Sequence, residues 1–296
     1  MSETYPTPQS FDRALKKACA KAEGDSGERY RMMLRDRFLC RVFSTENPLL
    51  ILKGGSNLLA RIPDARYTRD LDFGTQERLS AEKVMEEIGV LVSRDLGDWC
   101  RFELTKMEEA LDENGYSRLL KLRYATFIGE EEKDPVLIDL SLDCETTLPP
   151  ERISPANRVE VPGIAVADYL TYPLPDQLAD KLCAIMELQP GGWPSSRMKD
   201  LVDVVSYATS ETFKLDELSF AIECECRRRG MPVPERFAAP DSWKASFAAF
   251  AKKNGVRTEF ATFETASELA SNFFGPSLAL GGSSSKVWNP DLLEWQ

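Results

Sequence analysis

The 296-residue sequence predicts an α/β (α+β) protein of two lobes, an N-terminal lobe on a small mixed sheet and a helical C-terminal lobe. Three observations carry this expectation. Residues 10–143 interleave helical periodicity with short apolar runs of strand type. A proline-rich crossing, TTLPPERISPANRVEVPGI (residues 146–164), then interrupts the pattern. Beyond it the helical period dominates. The lobe boundary is placed there, giving 1–160 and 161–296. With 43% hydrophobic residues the chain can bury a core.

The elements follow in order. Ser10 is a candidate cap for FDRALKKACAKA. After the break EGDSGE, the run RYRMMLRDRFLCRVF sets Met32, Leu34, Phe38 and Val42 on one helical stripe. Its arginines, Arg29, Arg31, Arg35, Arg37 and Arg41, read as a solvated face, with a basic wall beside a bound polyanion as the other reading. Asn47-Pro48 marks a turn, and Leu49 to Lys53 a short buried strand. Gly54-Gly55-Ser56 turns into the helix NLLAR, and RDLDF is the second strand. Residues 80–95 form an amphipathic helix capped by Ser80. WCRFELTKM, SRLLKLRYATF and Pro135 to Asp143 are three further strands.

After the crossing, LPDQLADKLCAIMEL, SRMKDLVDVVSYAT, DELSFAIECECRRRG, SWKASFAAFAKKNG and ETASELASNFF read as helices. The tail GGSSSKVWNPDLLEW reads as a flexible link ending in an aromatic anchor, with Trp243, Trp288 and Trp295 as anchoring residues. Arg227-Arg228-Arg229 and Lys252-Lys253 read as solvated helix ends, or as contacts to an RNA backbone.

Composition narrows the chemistry. Asp and Glu number 48 against 37 Lys and Arg, a net charge of −11, which argues against a uniformly basic nucleic-acid binder but leaves room for a local basic groove. There is no histidine, so Ser-His-Asp and Cys-His catalysis and histidine–metal sites are excluded. Acid–base work falls to carboxylates, Lys, Tyr or Cys. A metal must sit on oxygen, which favours Mg²⁺ or Mn²⁺ over zinc. Seven scattered cysteines with no Cys-x-x-Cys pair suggest idle thiols in a reducing compartment. The N-terminus MSETYPTPQSFDRALKK has no apolar signal core, and no apolar run approaches the ~20 residues that span a bilayer. A cytoplasmic protein with no membrane partner is expected.

The candidate site begins at Asp70 and Asp72. On a strand, positions i and i+2 share a face, so these carboxylates project together while Leu71 and Phe73 enter the core. Two like charges this close favour a divalent cation between them. The plainer reading is two surface acids on an edge strand. Upstream, Gly54-Gly55-Ser56 allows close backbone approach to a phosphate at a helix start, or is an ordinary strand-to-helix turn. Asp139 stands in the apolar VLIDLSL. On a strand beside Asp70 and Asp72 it would make a third converging acid, as a metal ligand or general base. It could instead be a turn-proximal Asp, and Asp143 competes for the role. In DQLADKLCAIM the buried stripe is Leu178, Leu182, Ile185 and Met186. Lys181 falls on another face with Gln177, towards a cleft or merely towards water. In RMKDLVDVV, Lys199–Asp203 and Arg197–Asp200 have the spacing of local helix ion pairs.

LKGGSNLL…RYTRDLDF resembles the signature of the AbiEii/AbiGii toxin family, nucleotidyltransferase-like toxins of abortive-infection and MenT type in the DNA polymerase β-like nucleotidyltransferase superfamily. That pattern is Gly-Ser, a variable spacer, then Asp-x-Asp. A helix lysine follows in the second half, here Lys181, and then a Lys-Asp-x-x-Asp segment, here Lys199, Asp200 and Asp203. The match runs from about Phe38 to Tyr207. It implies a nucleotidyltransferase fold in the first lobe, with the second lobe completing an NTP cleft. Asp70, Asp72 and Asp139 would hold Mg²⁺ (or Mn²⁺). Lys53, Gly55, Ser56, Thr68, Arg69 and Lys181 would bind nucleotide, and Asp203 would hold Lys181 or the nucleotide in place. Thr68 would face the same side as Asp70 if its strand begins early enough, and could then be a modification site. The implied reaction moves a nucleoside monophosphate from an NTP to the 3′ end of tRNA, releases pyrophosphate and stops translation, with a cognate antitoxin as partner. A protein or small-molecule acceptor, or a non-catalytic nucleotide-binding module, are the alternatives.

Overall fold

The computed structural model describes residues 5–63, 65–77, 79–111, 118–189, 191–279 and 285–296. The chain divides into two units, neither of them a single stretch. The first comprises Met1–Arg61, Thr68–Glu145 and Pro150–Thr171. The second comprises Ile62–Tyr67, Thr146–Pro149 and Tyr172–Gln296.

The first unit opens with α1 (Pro8–Lys21), and here the cap differs from the expected one. Thr7 is the N-cap, Pro8 occupies the first turn, and Ser10 closes a reciprocal capping box. Asp25 caps α2 (Ser26–Val42), whose Met33, Leu34, Phe38 and Val42 are buried. The arginine row of α2 is not the solvated face expected of it. Arg37 and Arg41 are 0% and 1% exposed, and Arg35 is 9% exposed. Each finds an acceptor the helical pattern does not reveal. Arg41 forks onto Asp98 at 2.6 and 3.0 Å, Arg37 meets Asp36 at 2.5 Å, and Arg35 donates to the Thr68 carbonyl at 2.5 Å. Planar guanidinium forks tolerate burial when paired in this way.

The sheet is assembled from β1 (Leu50–Leu52), β2 (Asp70–Thr75), β3 (Cys100–Leu111), β4 (Arg118–Ile128), β5 (Glu131–Ser141), β6 (Glu151–Ile153) and β7 (Tyr169–Thr171). The helix α3 (Gly54–Arg61) joins β1 to β2, and α4 (Ala81–Val92), capped by Ser80, follows β2. Among the described residues the order is β3-β4-β5-β2-β1-β7-β6. β2 runs parallel to β5 and β1 parallel to β7, and the other pairings are antiparallel, so the sheet is mixed. β5 begins at Glu131, upstream of the expected Pro135. The register slips opposite that proline, between Tyr124 and Thr126, which relieves the ladder of a missing N–H. The crossing expected to be irregular contains β6, too short to show a period of two. One face of the sheet is buried through Leu71, Phe73, Ile138, Leu140, Leu120, Leu122 and Tyr124. Phe38 of α2 packs there, with ring centroids 5.3 Å from Phe102 and 5.1 Å from Tyr124.

The second unit carries α5 (Leu174–Met186), α6 (Met198–Ala208), β8 (Phe213–Lys214), α7 (Leu215–Arg228), α8 (Lys244–Lys253), α9 (Phe263–Leu278), β9 (Val287–Asn289) and β10 (Glu294–Trp295). To the expected helices it adds a small sheet of order β10-β9-β8. Three tryptophans anchor the unit through their indole N–H groups. Trp243 donates to Ser195 O, Trp288 to Ala208 O and Trp295 to Phe273 O. The expected link at residues 281–284 lies outside the described residues. Arg229 is not a solvated helix end. It is 9% exposed and binds Glu225, Asp180 and Glu187 at 2.5 to 2.9 Å, acids supplied by its own helix, by α5 and by the residue that follows α5. Among the described residues all the cysteines are free thiols, and no helix is long and apolar enough to cross a membrane.

Candidate functional site

The carboxylates of the first unit are placed by register. β2 and β5 pair in parallel with Asp70 opposite Leu137 and Asp72 opposite Asp139. Directly paired residues project from the same side of a sheet. Asp70, Asp72 and Asp139 therefore share one face, opposite Leu71, Phe73, Ile138 and Leu140. All three are half-buried, while those apolar neighbours are buried. β2 lies between β5 and β1, so the two acids of Asp-x-Asp do not sit on an edge strand. Asp143 is not on β5; it pairs with Arg118 at 3.5 Å.

The glycine turn closes against Asp72. Gly54 has φ +56°, in the left-handed region. A Cβ built on it would lie 2.3 Å from Asp72 Oδ2 and 2.6 Å from its Cγ. The Gly55 N–H donates to Asp72 Oδ2 at 3.2 Å, and the Lys53 N–H to the Asp72 carbonyl at 2.7 Å. Ser56 is 6% exposed, and its hydroxyl donates to the Asp70 carbonyl at 2.9 Å. The turn and the carboxylate strand thus form one hydrogen-bonded piece, with Ser56 as a tie between α3 and β2.

The other predicted residues of this unit are placed as follows. Lys53 is half-buried and Arg69 exposed. Thr68 precedes β2, which starts at Asp70, so the strand alternation expected to orient it does not reach it. Its hydroxyl points back to the Asp70 carbonyl at 3.4 Å, and it lines a small cavity with Met33, Leu59 and Leu71, on the core side of β2.

Lys181 belongs to the second unit and is only 2% exposed; Gln177 is likewise buried, so α5 has no solvated face at this level. Its ammonium donates to Asp200 at 3.0 Å and to Asp203 at 2.5 Å. Burial alone would lower the lysine pKa, but the two carboxylates outweigh it and hold it raised. Burial likewise works against ionised Asp200, yet Lys181 and then Arg197 hold its carboxyl well below the usual range. Of the two expected helix pairs, Arg197–Asp200 forms at 2.8 Å. Lys199–Asp203 does not: Lys199 is exposed, and Asp203 instead takes a fork from Arg66 at 2.6 and 2.8 Å. Arg66 is the residue the sequence reading missed. A single arginine in an irregular segment has no periodicity to mark it.

Among the described residues no three carboxylate or thiol side chains converge as a ready metal cage. The donor chemistry nonetheless suits Mg²⁺, which takes one or two carboxylates and leaves its other positions to water and substrate phosphate. Asp70 and Asp72 supply two on one face, and Gly54 keeps the space beside Asp72 free of a side chain.

Comparison with known proteins gives three results. No curated protein matches the chain. Several solved structures are similar over most of it, among them the following two. MenT4, a nucleotidyltransferase toxin from Mycobacterium tuberculosis, has a TM-score of 0.56 at 15% identity, covering 92% of this chain and 90% of that one. JHP933 from Helicobacter pylori has a TM-score of 0.47 at 16% identity, covering 86% of this chain and 94% of that one. The first of these likenesses supports the nucleotidyltransferase fold. The family described as nucleotidyl transferase AbiEii toxin, type IV toxin-antitoxin system, matches residues 37–268. The chain therefore belongs to the AbiEii family of nucleotidyltransferase toxins.

Proposed function

We propose that the protein transfers a nucleoside monophosphate from an NTP to the 3′ end of tRNA and thereby blocks translation. An NTP substrate and an antitoxin follow from family membership. The acceptor and the residue roles are our reading, and the observation that supports it most is the register pairing of Asp72 with Asp139 beside the Gly54 turn.

In this reading Asp70 and Asp72 hold Mg²⁺, with Asp139 as third acid. Bound there, the ion offsets charge on the triphosphate and the leaving pyrophosphate. The side-chain-free edge at Gly54 and Gly55 lets phosphate oxygens approach the backbone, with Lys53 and Arg69 as nearby cations. Asp139 accepts the proton of the attacking 3′-hydroxyl. A bond forms from that oxygen to the α-phosphorus, the α–β phosphoanhydride bond breaks, and pyrophosphate leaves. Lys181 and Asp203 act as positioning residues, because the ammonium is enclosed by two carboxylates.

A net charge of −11 favours a second reading, a protein or small-molecule acceptor. Each NTP, labelled at its α-phosphate, is incubated with purified total tRNA, lysate protein and small acceptors in separate arms. Label on the 3′ end of tRNA with pyrophosphate release is the expected result. Label on protein or small molecules alone would replace the tRNA reading. Nucleotide binding without pyrophosphate release would remove catalysis altogether.

A further inference from the structure

The face that carries the carboxylates continues across the sheet. Lys121 of β4 is directly opposite Asp139, and Arg123 directly opposite Leu137. Both project from the same side as Asp70, Asp72 and Asp139. Both are exposed, while Leu120, Leu122 and Tyr124 alternate with them into the core. On the next strand, β3, Glu108 stands opposite Lys121 and Lys106 opposite Arg123. Those two satisfy each other at 2.7 Å, so the acid that β3 contributes is already neutralised. Among the described residues, Lys121 and Arg123 take part in no ion pair or side-chain hydrogen bond. Two exposed cations thus stand on the same face as the candidate metal acids, in a protein that is acidic overall, and the carboxylate directly opposite Lys121, Asp139, belongs to that acid set.

We propose that Lys121 and Arg123 form the platform that receives the phosphates of the acceptor RNA next to its 3′ end. This rests on the tRNA reading above and locates the acceptor strand. Neighbouring strands are about 4.8 Å apart, so β4 lies one spacing from Asp139 on β5, within reach of the one or two nucleotides that precede a terminal hydroxyl placed there. An RNA end with its terminal hydroxyl at Asp139 would lay its preceding phosphates over these cations. With Asp139 engaged among the metal acids, phosphates are the complementary occupant that supplies counter-charge to both side chains. A protein acceptor would need a run of acids at the same spacing.

The test measures tRNA affinity at several salt concentrations, together with KM for tRNA and for NTP, in the full-length protein. Lys121→Ala/Arg123→Ala should weaken tRNA binding by roughly tenfold for each cation removed. It should also reduce the slope of log K against log salt by about 1.4, the value for two single-strand phosphates. KM for NTP should not change. Lys121→Arg/Arg123→Lys, which keeps both charges, should retain binding. Lys252→Ala/Lys253→Ala removes two exposed cations elsewhere and should have no effect. If the wild type extends tRNA but the alanine pair binds it with unchanged affinity and slope, the platform is overturned and the tRNA reading stands. If the wild type neither binds nor extends tRNA, or labels protein instead, both are overturned.

Discussion

Gly54→Ala tests the coupling between the glycine turn and the carboxylate strand. The new methyl group would lie 2.3 Å from Asp72 Oδ2, 2.6 Å from its Cγ and 3.0 Å from its Cβ, where ordinary contact begins at 3.4 Å. The backbone at φ +56° costs a non-glycine residue about 1–2 kcal/mol, so the chain cannot simply absorb the methyl group in place. The Asp72 carboxylate must therefore move by about 1 Å, and a misplacement of that size costs on the order of a hundredfold in rate. The conformational cost alone lowers the thermal midpoint by about 2–4 °C per kcal/mol. The assay is pyrophosphate release at saturating NTP, with a thermal melt on the same sample. Gly89→Ala is the control: Gly89 lies on α4 with nothing within 4 Å of its would-be Cβ, so it should gain about 1 kcal/mol with full activity. A Gly54→Ala protein that melts like the wild type and releases pyrophosphate at the wild-type rate would refute the reasoning.

Asp72→Asn keeps an acceptor for the Gly55 N–H but loses the charge, so the melt should stay within about 0.5 kcal/mol of wild type while pyrophosphate release collapses; retained release would remove Asp72 from the metal set. Lys181→Met leaves Asp200 with Arg197 and Asp203 with Arg66, so its cost should fall near the lower end for a broken buried pair, about 3 kcal/mol by urea unfolding; a loss below 1 kcal/mol would show that the amine is dispensable. Arg66→Ala should cost about 1.5–3 kcal/mol, because Asp203 keeps Lys181 alone, and an unchanged urea midpoint would mean the fork contributes nothing. The depressed Asp200 pKa gives stability that is complete above the unfolded value near pH 4 and is lost as pH falls below it towards the folded value. Asp200→Asn should thus trail the wild type in urea midpoint at about pH 6 and approach it at about pH 3; a constant gap would contradict the linkage.

Local periodicity made much of the fold legible. The alternation through Asp70-Leu71-Asp72-Phe73 shows which side chains share a face, and Ser80 marks the start of α4, because both signals act over a few residues. What the sequence hides is set by partners far along the chain. Asp139 meets Asp72 only because β5 returns to the parallel side of β2 after the β3–β4 hairpin. Arg41 looks solvated on a helical wheel, yet Asp98 waits 57 residues on, and a fork of that kind turns a surface residue into a buried one. Lys199 and Asp203 have ideal helical spacing and still do not pair, since Lys181 and Arg66 reach Asp203 in the interior, where the same attraction is less screened by water. Lys121 and Arg123 carried no motif at all. Their interest comes from the strand next to them.

The fork from Arg66 to Asp203 has a consequence for the order of events during synthesis. Arg66 emerges from the ribosome soon after the glycine turn and just ahead of Asp70, but its acceptor is encoded 137 residues later. At 5–20 residues per second that is a wait of about 7–27 s. The nascent chain can pair β1 with β2 early in that interval and β2 with β5 once Ser141 has emerged, just past its midpoint, while the segment Ile62–Tyr67 that joins α3 to β2 still lacks the rest of its unit. A ribosome that stalls before Asp203 therefore leaves a polypeptide with the carboxylate strands in hand and Arg66 and Lys181 without their shared acceptor.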